Sequence, residues 1–498
     1  SSFAGTKTAQ GNTDDNGIGD FHFSPPSGFL ALCSSNLANP TIDPANGDEP
    51  ADYFNTVLWS GNGTSGVDNQ QSITGIGFQP NFAWIKSRNN ASGHALYDAQ
   101  RGTSGHMYYL SSDSDMAEDS TYKMMTTFDS DGYTLSTLGG SHTNRSGWTY
   151  VGWNWLAGGT APSQTYTVKV VSDSGNKYRF DDFGTSAVTL DLQEGGTYVF
   201  DQSDSSNSGH PLRFSTTSDG THGGGSEYTT GVTTVGTPGS AGAKTTIVVA
   251  TSAPTLYYYC SSHSGMGGQA NTNFTFGSSN FEGSFQSKVS ANTKAGFSIV
   301  THENGSGTRT VGHGLDSTPE LIIEKKIDST GDWLVQTTLI DGSNDYLRLN
   351  TTAAKANGSG ASPTATVYSP NVGGGADCLA YCFHSVNGYS KIGTYTGNGS
   401  TNGPFVYTGF RVAYLLLKRT DSANNWVVQN NKSSPFNVVD DELTPDENYA
   451  EFTNSVYSVD FLSNGFKIRN SALPWNASGG TYIYLAIAEQ PFKYANAR

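Results

Sequence analysis

Three side chains that can bind a metal ion fall within seven residues of one another, in the segment 257–268. They are the thiol of Cys260, the imidazole of His263 and the thioether of Met266. In sites for redox-active copper, a cysteine and two histidines are strong ligands and a methionine sulfur is a weak axial ligand. The second imidazole is missing from this segment, and His210, fifty residues upstream of Cys260, is the candidate for it.

Each of these residues also has an ordinary structural explanation. A histidine in a turn commonly forms surface hydrogen bonds, a methionine fills an apolar gap, and a lone cysteine packs as a small hydrophobic residue. The occurrence of all four residues in the order of a copper site favours the interpretation as a metal site. Two further histidines, His222 and His313, lie in glycine-rich segments, and we expect them to be solvated rather than to bind a metal.

Composition predicts a chain made almost wholly of β-strands. The 498 residues include 60 glycines, and charged residues make up only 14% of the chain. Short apolar segments are interrupted by Gly, Asn, Asp and Ser, as in antiparallel sheets that are joined by tight turns. No segment of ten or more residues has the periodicity of an amphipathic helix. A chain of this length is large enough for about three to four domains.

Charge and hydropathy exclude two classes of partner. The net charge is −16 and the 27 Lys and Arg residues are scattered, so the positive surface that nucleic-acid binding requires is not predicted. No apolar segment approaches the ~18 residues of a membrane span, and no signal peptide is recognisable. The chain begins at Ser1 rather than Met, from which we expect a processed or longer product.

Cysteine is too scarce for a disulfide framework. The chain has four cysteines, Cys33, Cys260, Cys378 and Cys382. The last two are four positions apart in an apolar segment, and along a strand that rises ~3.3 Å per residue they are too distant to bond each other.

Three units of the chain open and close alike. Each opens with an apolar strand, a basic residue and a polar turn, at residues 78–90, 317–328 and 410–421. Each closes with a second apolar strand, at residues 149–155, 377–383 and 481–487. In the first and third units, Asp131-Gly132 and Asn464-Gly465 predict tight hairpin turns, because glycine accepts the positive φ that these turns require.

These units divide the chain into five parts. Residues 1–45 are predicted to be an N-terminal arm, or the end of a preceding β domain, with one or two strands. The three units are each of the size of one β-sandwich and span residues 46–160, 285–389 and 390–498. Residues 163–280 interrupt the series with at least six candidate strands of their own.

The three units resemble the concanavalin A-like β-sandwich modules that are repeated in tail-fibre and other surface proteins of marine tailed phages. The resemblance rests on residues 78–86, 128–133, 395–410 and 491–498. It implies an all-β fold, a virion (extracellular) location, other virion proteins as partners and a glycan or protein receptor on the host surface. It also implies a homo-oligomer such as a trimer.

The interrupting segment, residues 163–280, resembles the cupredoxin fold. A turn with His210 runs into a strand, a long loop follows, a later strand ends at Cys260, and His263 and Met266 precede a short final strand. In blue-copper proteins one histidine comes from earlier in the fold, and the cysteine, the second histidine and the methionine come from the loop between the last two strands. The resemblance therefore implies a Greek-key β-sandwich with one copper ion bound by these four residues.

No pair of carboxylates predicts glycosidase activity, although concanavalin A-like sandwiches include glycosidases. Glu320 and Glu324 flank one apolar strand, and Asp440, Asp441 and Glu442 fall in a loop between prolines. We interpret all five as solvated acids. The sequence also lacks a nucleophile elbow, a phosphate-binding loop and the ligand spacing of a zinc site, so we expect no enzymatic activity.

Three functions fit these features. The first is a virion structural protein, a tail-fibre or receptor-binding component that recognises the host cell surface. The second is a bacterial cell-surface or secreted adhesin, and the third is a copper-binding electron-transfer protein. Trp148, Trp153, Trp426 and Trp475 would stack on sugars if they were exposed, although packing in the core is the commoner fate of tryptophan.

Overall fold

The computed structural model describes residues 7–63, 70–102, 107–136, 142–273, 275–303, 309–372 and 375–496. About 40% of the chain is β-strand, which confirms the all-β prediction. Among the described residues, α-helix is limited to Leu473–Asn476 (α1). Short 3-10 helices lie at Ser34–Asn36, Pro44–Asn46, Pro50–Asp52, Ser205–Asn207, Gly220–Gly223 and Ser455–Tyr457.

The first unit has a four-stranded sheet of order β1-β7-β3-β4 and a three-stranded sheet of order β2-β6-β5. The predicted turn at Asp131-Gly132 joins β5 and β6 as a hairpin. The strands are β1 (Phe54–Ser60), β2 (Gln71–Ile73), β3 (Phe82–Ser87), β4 (Ala95–Asp98), β5 (Met125–Asp129), β6 (Gly132–Leu135) and β7 (Thr149–Trp155).

The interrupting segment forms a two-sheet sandwich, with sheet orders β10-β16-β15-β12 and β13-β14-β11-β8-β9. Its apolar side chains form a separate hydrophobic core, which includes Tyr166, Phe200 and Cys260. The strands are β8 (Ser163–Ser172), β9 (Asn176–Phe180), β10 (Leu190–Gln193), β11 (Thr197–Asp201), β12 (Leu212–Ser215), β13 (Val232–Val235), β14 (Lys244–Val248), β15 (Leu256–Cys260) and β16 (Gly268–Asn273).

The short final strand that the sequence predicts after Met266 is β16. It starts at Gly268 and ends at Asn273, and Phe274 lies outside the described residues.

The second unit has an eight-stranded sheet of order β17-β18-β19-β26-β21-β22-β23-β24 and a two-stranded sheet of β20 and β25. The strands are β17 (Ser278–Asn280), β18 (Ser287–Asn292), β19 (Phe297–His302), β20 (Val311–Gly312), β21 (Leu321–Lys326), β22 (Leu334–Thr337), β23 (Asp345–Arg348), β24 (Ala356–Asn357), β25 (Val367–Tyr368) and β26 (Cys378–Phe383).

The third unit has sheets of order β27-β35-β29-β30 and β28-β34-β33 and a pair formed by β31 and β32. The predicted turn at Asn464-Gly465 joins β33 and β34. The strands are β27 (Ser390–Thr396), β28 (Phe405–Tyr407), β29 (Phe410–Arg419), β30 (Val427–Asn430), β31 (Asp441–Glu442), β32 (Phe452–Thr453), β33 (Val459–Leu462), β34 (Gly465–Ile468) and β35 (Thr481–Pro491).

One sheet in each unit has the same strand order, and we call these three the inner sheets. The orders are β1-β7-β3-β4, β19-β26-β21-β22 within the eight-stranded sheet, and β27-β35-β29-β30. Equivalent residues face each other across them: Trp84 and Trp153, Ile323 and Tyr381, and Leu416 and Leu485. The exact domain boundaries and the concanavalin A-like and cupredoxin assignments remain predictions.

The inner sheets meet in one hydrophobic core that all three units share. The ring centroids of Phe82 in the first unit and Tyr381 in the second lie 4.2 Å apart, and those of Trp155 and Tyr414 in the third lie 5.6 Å apart. Alternate residues of β3 point the other way, so that Ile85 packs in a second core, which is formed by the first unit and Phe276. Burial on both faces explains why the opening strands are continuous apolar segments rather than alternating ones.

Polar turns after β3, β21 and β29 join the three units in a closed ring. The turn of the first unit contacts the third unit, the turn of the second contacts the first, and the turn of the third contacts the second. One backbone hydrogen bond is repeated at each junction: Ser92 N–H to Asn448 O at 2.8 Å, Gly331 N–H to Asp115 O at 2.8 Å and Asn424 N–H to Thr352 O at 2.9 Å.

A buried lysine at the end of each opening strand reinforces the same junctions. Lys86, Lys325 and Lys418 have no exposed surface, and burial lowers the pKa of each ammonium group to about 8. Their ammonium groups donate to the carbonyl oxygens of Asn448 at 3.5 Å, Asp115 at 3.3 Å and Thr352 at 2.9 Å, each in the neighbouring unit. A buried cation without such acceptors would be strongly destabilising.

The N-terminal arm differs from the prediction of one or two strands. Residues 7–49 contain two short 3-10 helices and an isolated bridge between Asn12 and Phe21 but no strand, and Phe23 and Leu32 are largely exposed. These apolar side chains have no sheet to pack against, and therefore the segment stays irregular. Its end docks on the third unit, where the Tyr494 hydroxyl donates to Asp43 at 2.6 Å. Residues 1–6 lie outside the described part of the chain.

No helix in the described residues is long and apolar enough to cross a membrane.

Candidate metal centre

Strand pairing in the interrupting domain brings His210 to Cys260. Strands β12 and β15 are antiparallel, with Leu212 opposite Cys260. His210 lies two positions before Leu212, the first residue of β12, and Cys260 is the last residue of β15. The two residues therefore lie at the same end of the sheet. A hydrogen bond of 3.1 Å from Ser261 N–H to Pro211 O continues the pairing beyond Cys260.

Two glycines shape the loop that carries His263 and Met266. Gly265 has a φ of +70°, a conformation that side chains rarely adopt. Gly267 lies against β15, where a Cβ would come within 1.7 Å of the Tyr258 carbonyl oxygen. The loop can therefore turn back sharply after Cys260 and enter β16.

The sequence-predicted thiol and imidazoles converge. Cys260 Sγ lies 3.9 Å from His210 Nδ1 and 3.7 Å from His263 Nδ1. The ligand atoms of all three residues fall within 4.8 Å of one another. Cys260 is fully buried, His210 is partly buried and His263 is exposed, so the cluster lies just beneath the surface.

The two sulfur–nitrogen separations fit a single transition-metal ion. A metal–sulfur distance of ~2.3 Å and a metal–nitrogen distance of ~2.0 Å place the two ligand atoms about 3.7 Å apart at a trigonal angle. The observed separations of 3.7 and 3.9 Å match that value.

Met266, the fourth predicted ligand, is a buried residue near the end of the same loop. Its side chain is 1% exposed and belongs to the same hydrophobic core as Cys260. It also lines the surface depression that His263 borders. The backbone carbonyl of Met266 accepts a 2.9 Å hydrogen bond from Tyr178 N–H, which fixes the end of the loop to β9.

Buried polar groups hold His210 in place. Its carbonyl oxygen accepts hydrogen bonds from the Tyr178 hydroxyl at 2.9 Å and from Gln202 Nε2 at 2.8 Å. Burial, together with the neighbouring His263, lowers the pKa of His210. A lowered pKa favours the neutral imidazole, which is the form that binds a metal.

A second loop contacts residues 260–266 from outside, and no pattern in the sequence indicates this role. His222 Nε2 lies 3.0 Å from the Cys260 carbonyl oxygen, and the Asp219 carboxylate accepts a 2.8 Å hydrogen bond from Gly265 N–H. His222 is exposed, as predicted, but it is hydrogen-bonded to the backbone of Cys260.

Several other predictions about polar residues are wrong. His313 is fully buried rather than solvated, because its segment forms part of the core of the second unit. Glu324 and Glu442 are also buried rather than solvated. Burial raises the pKa of each carboxyl to about 8. Trp475 Nε1–H donates to Glu442 at 2.7 Å, which explains how a polar carboxyl is accommodated.

The tryptophans that were candidates for sugar stacking lie mostly in the interior. Trp153, Trp426 and Trp475 are at most 1% exposed, so these three pack in the core and are not free to stack on sugars. Trp148 is partly exposed, with the Arg145 guanidinium 4.8 Å above its ring. All four cysteines are free thiols, as predicted for the pair Cys378 and Cys382 on one strand.

Comparison with known families finds one match. A family model described as a domain of unknown function (DUF7483) matches residues 49–179 and 270–491, well over half of the chain. The match covers the three units and the edges of the interrupting domain, and it leaves out the segment that holds all four candidate ligands. Comparisons with curated proteins and with solved structures find no match.

Proposed function

The chain belongs to the DUF7483 family, and we propose that it is a surface protein whose interrupting domain binds one copper ion. The observation that carries the copper proposal is the convergence of Cys260 Sγ with the Nδ1 atoms of His210 and His263 at 3.9 and 3.7 Å. Met266 would be the weak axial ligand. A thiolate with two imidazoles and a thioether is the ligand set of type 1 copper, whereas zinc sites rarely use a thioether.

Copper in such a site supplies one-electron oxidation and reduction. The chain's own residues contribute a buried thiol, an exposed imidazole and a loop that is anchored at both ends. The exposed His263 edge gives a redox partner a short path to the site, and the surrounding hydrogen bonds keep the ligands in place when the charge of the centre changes. An electron-transfer role for this domain follows from these features.

The copper proposal is tested by loading the purified full chain with Cu²⁺. We expect one bound copper per chain and an intense visible absorption from thiolate-to-copper charge transfer. Cys260→Ala should lose the absorption, whereas Cys33→Ala should keep it because Cys33 lies in the N-terminal arm, outside the cluster. A colourless wild-type protein that retains no copper after dialysis would refute the proposal. Retention of zinc in preference to copper would refute it equally.

We further propose that the three units serve as a rigid scaffold in host attachment, as a tail-fibre or receptor-binding component of a virion. The resemblance to tail-fibre modules supports this role, and so does the closed ring of units, which holds the loops around it in fixed positions. A glycan or protein receptor on the host surface would be the partner. A homo-oligomer, such as a trimer, stays an expectation.

The alternative is a bacterial cell-surface or secreted adhesin built from the same units. Mass spectrometry of purified virions separates the two: the chain should be present in stoichiometric amounts in washed particles. Its absence from the particles and presence in the bacterial surface fraction would favour the adhesin.

A further inference from the structure

We infer that residues 216–225, the clamp loop, fix the geometry of the copper site, with His222 and Asp219 as positioning residues. This inference rests on the proposed copper function and extends it to residues that bind no metal. The clamp loop follows β12 and reaches across the sheet to both ends of the ligand loop, residues 260–266.

The first contact acts on Cys260 itself. His222 Nε2 lies 3.0 Å from the Cys260 carbonyl oxygen. A carbonyl oxygen can only accept a hydrogen bond, so Nε2 carries the proton and donates it. The donated bond restrains the peptide group of the residue that supplies the thiolate, and therefore the position of Cys260 Sγ relative to the two imidazoles.

The second contact acts on the turn between His263 and Met266. The Asp219 carboxylate accepts a 2.8 Å hydrogen bond from Gly265 N–H. Asp219 has a φ of +57°, a left-handed conformation that aspartate tolerates better than most residues. The two contacts lie at opposite ends of the ligand loop, and together they restrain the positions of the thiol, the imidazole and the thioether.

Packing fixes the clamp loop to the strand that carries Cys260. Gly220 lies against the Tyr259 ring, so closely that a Cβ on Gly220 would come within 2.5 Å of it. Because Tyr259 is the neighbour of Cys260 on β15, the loop and the thiol belong to one rigid unit. Groups that orient metal ligands in this way typically contribute 10- to 100-fold to metal affinity.

The test compares matched variants of the full chain. His222→Phe keeps a ring of similar size but removes the donor, whereas His222→Gln keeps an N–H donor at a similar distance from the backbone. Asp219→Gly removes the carboxylate and still accepts the left-handed φ, whereas Asp219→Asn keeps an acceptor oxygen. Copper affinity is measured by competition with a chelator, and the reduction potential is measured by titration with redox mediators.

We expect His222→Phe and Asp219→Gly each to weaken Cu²⁺ binding about tenfold or more, and His222→Gln and Asp219→Asn to stay near the wild type. His222→Phe should also shift the reduction potential away from that of the wild type and of His222→Gln, because a ligand loop that is no longer restrained binds Cu²⁺ and Cu⁺ with a different ratio of affinities. A tenfold change in the ratio of the affinities for the two oxidation states corresponds to about 59 mV.

The outcomes separate the two proposals. If the wild type binds copper and the Phe and Gly variants match it in affinity and potential, the clamp inference is wrong and the copper function stands. If Phe and Gln variants lose affinity equally, the hydrogen bond from position 222 has no role and the inference is again wrong. A wild type that binds no copper overturns both. Thermal unfolding of the metal-free variants shows whether each is folded.

Discussion

The indole N–H of Trp333 donates a 2.9 Å hydrogen bond to the backbone carbonyl of Ser111, which lies 222 residues earlier in the chain. Trp426 makes the equivalent bond to Arg348 O at 2.7 Å, and His94 Nε2 lies 3.1 Å from Thr444 O. All three donors occupy the same position in the turn after an opening strand. Each bond crosses from one unit to the next, and the ring of units closes through them.

Trp333→Phe should destabilise the three-unit body by about 1–3 kcal/mol, because it removes the indole donor from the buried Ser111 carbonyl oxygen, which then keeps only the 3.3 Å hydrogen bond from Ser114 N–H. Chemical denaturation followed by tryptophan fluorescence or circular dichroism measures the loss. Trp148→Phe is the control, since Trp148 is partly exposed and makes a cation–π contact at the surface. Equal midpoints for the Trp333 variant and the wild type would mean that the junction bond contributes nothing.

The three units should unfold together and the interrupting domain separately. The units share one hydrophobic core, whereas the interrupting domain has its own. Differential scanning calorimetry should therefore show two transitions. Copper should raise the temperature of only one of them, by mass action on the folded domain. Three separate transitions for the three units would contradict the shared core.

Glu442 should contribute a stability that is lost as the pH rises from about 4.5 to 8. Burial raises the pKa of this carboxyl from 4.5 to about 8 in the folded chain. The folded state thus retains a proton that the unfolded state has lost, and unfolding is favoured as the pH rises through this range. Glu442→Gln removes the titration and should flatten the dependence.

Glu447→Gln, in the same loop and partly exposed, serves as the control for that measurement. It should keep the pH dependence of the wild type. The same slope in the Glu442 variant and in the wild type would show that Glu442 is not the titrating group.

Of the four thiols, Cys33 alone should react rapidly with a thiol reagent in the native, metal-free protein at pH 8. Cys33 is partly exposed, whereas Cys260, Cys378 and Cys382 are buried, and burial raises the pKa of the Cys378 thiol to about 12. A high pKa leaves little of the reactive thiolate. Four thiols should react after denaturation. Rapid labelling of Cys378 in the native state, identified by mass spectrometry, would contradict the described packing.

Much of the fold could be predicted from local pattern, because strands and tight turns depend on neighbouring residues. The closing strand at 149–155 and the hairpin at Asn464-Gly465 were predicted correctly for that reason. The burial of Glu324 was missed because it depends on contacts with distant segments, such as the hydrogen bond from Asn371 N–H. The junctions between units were likewise missed.

In the candidate site, too, the features that depend on neighbouring residues could be predicted and those that depend on distant segments could not. The spacing of Cys260, His263 and Met266 in one loop made them recognisable, and the resemblance to the cupredoxin fold supplied His210. Nothing in the glycine-rich segment around His222 indicates that its ring reaches the Cys260 carbonyl, since the two are 38 positions apart. Residues that orient a ligand through the backbone leave little trace in a single sequence.

The closed ring fixes the copy number of the unit. In open-ended repeat proteins each repeat contacts only its neighbours, so a duplication or deletion lengthens or shortens the array and leaves the remaining contacts intact. Here the third unit returns to the first through the bond between Ser92 and Asn448. Loss of one unit would expose two junctions and a shared core, and a fourth unit would have no junction to enter. New sequence is tolerated between units instead, which is where the interrupting domain lies.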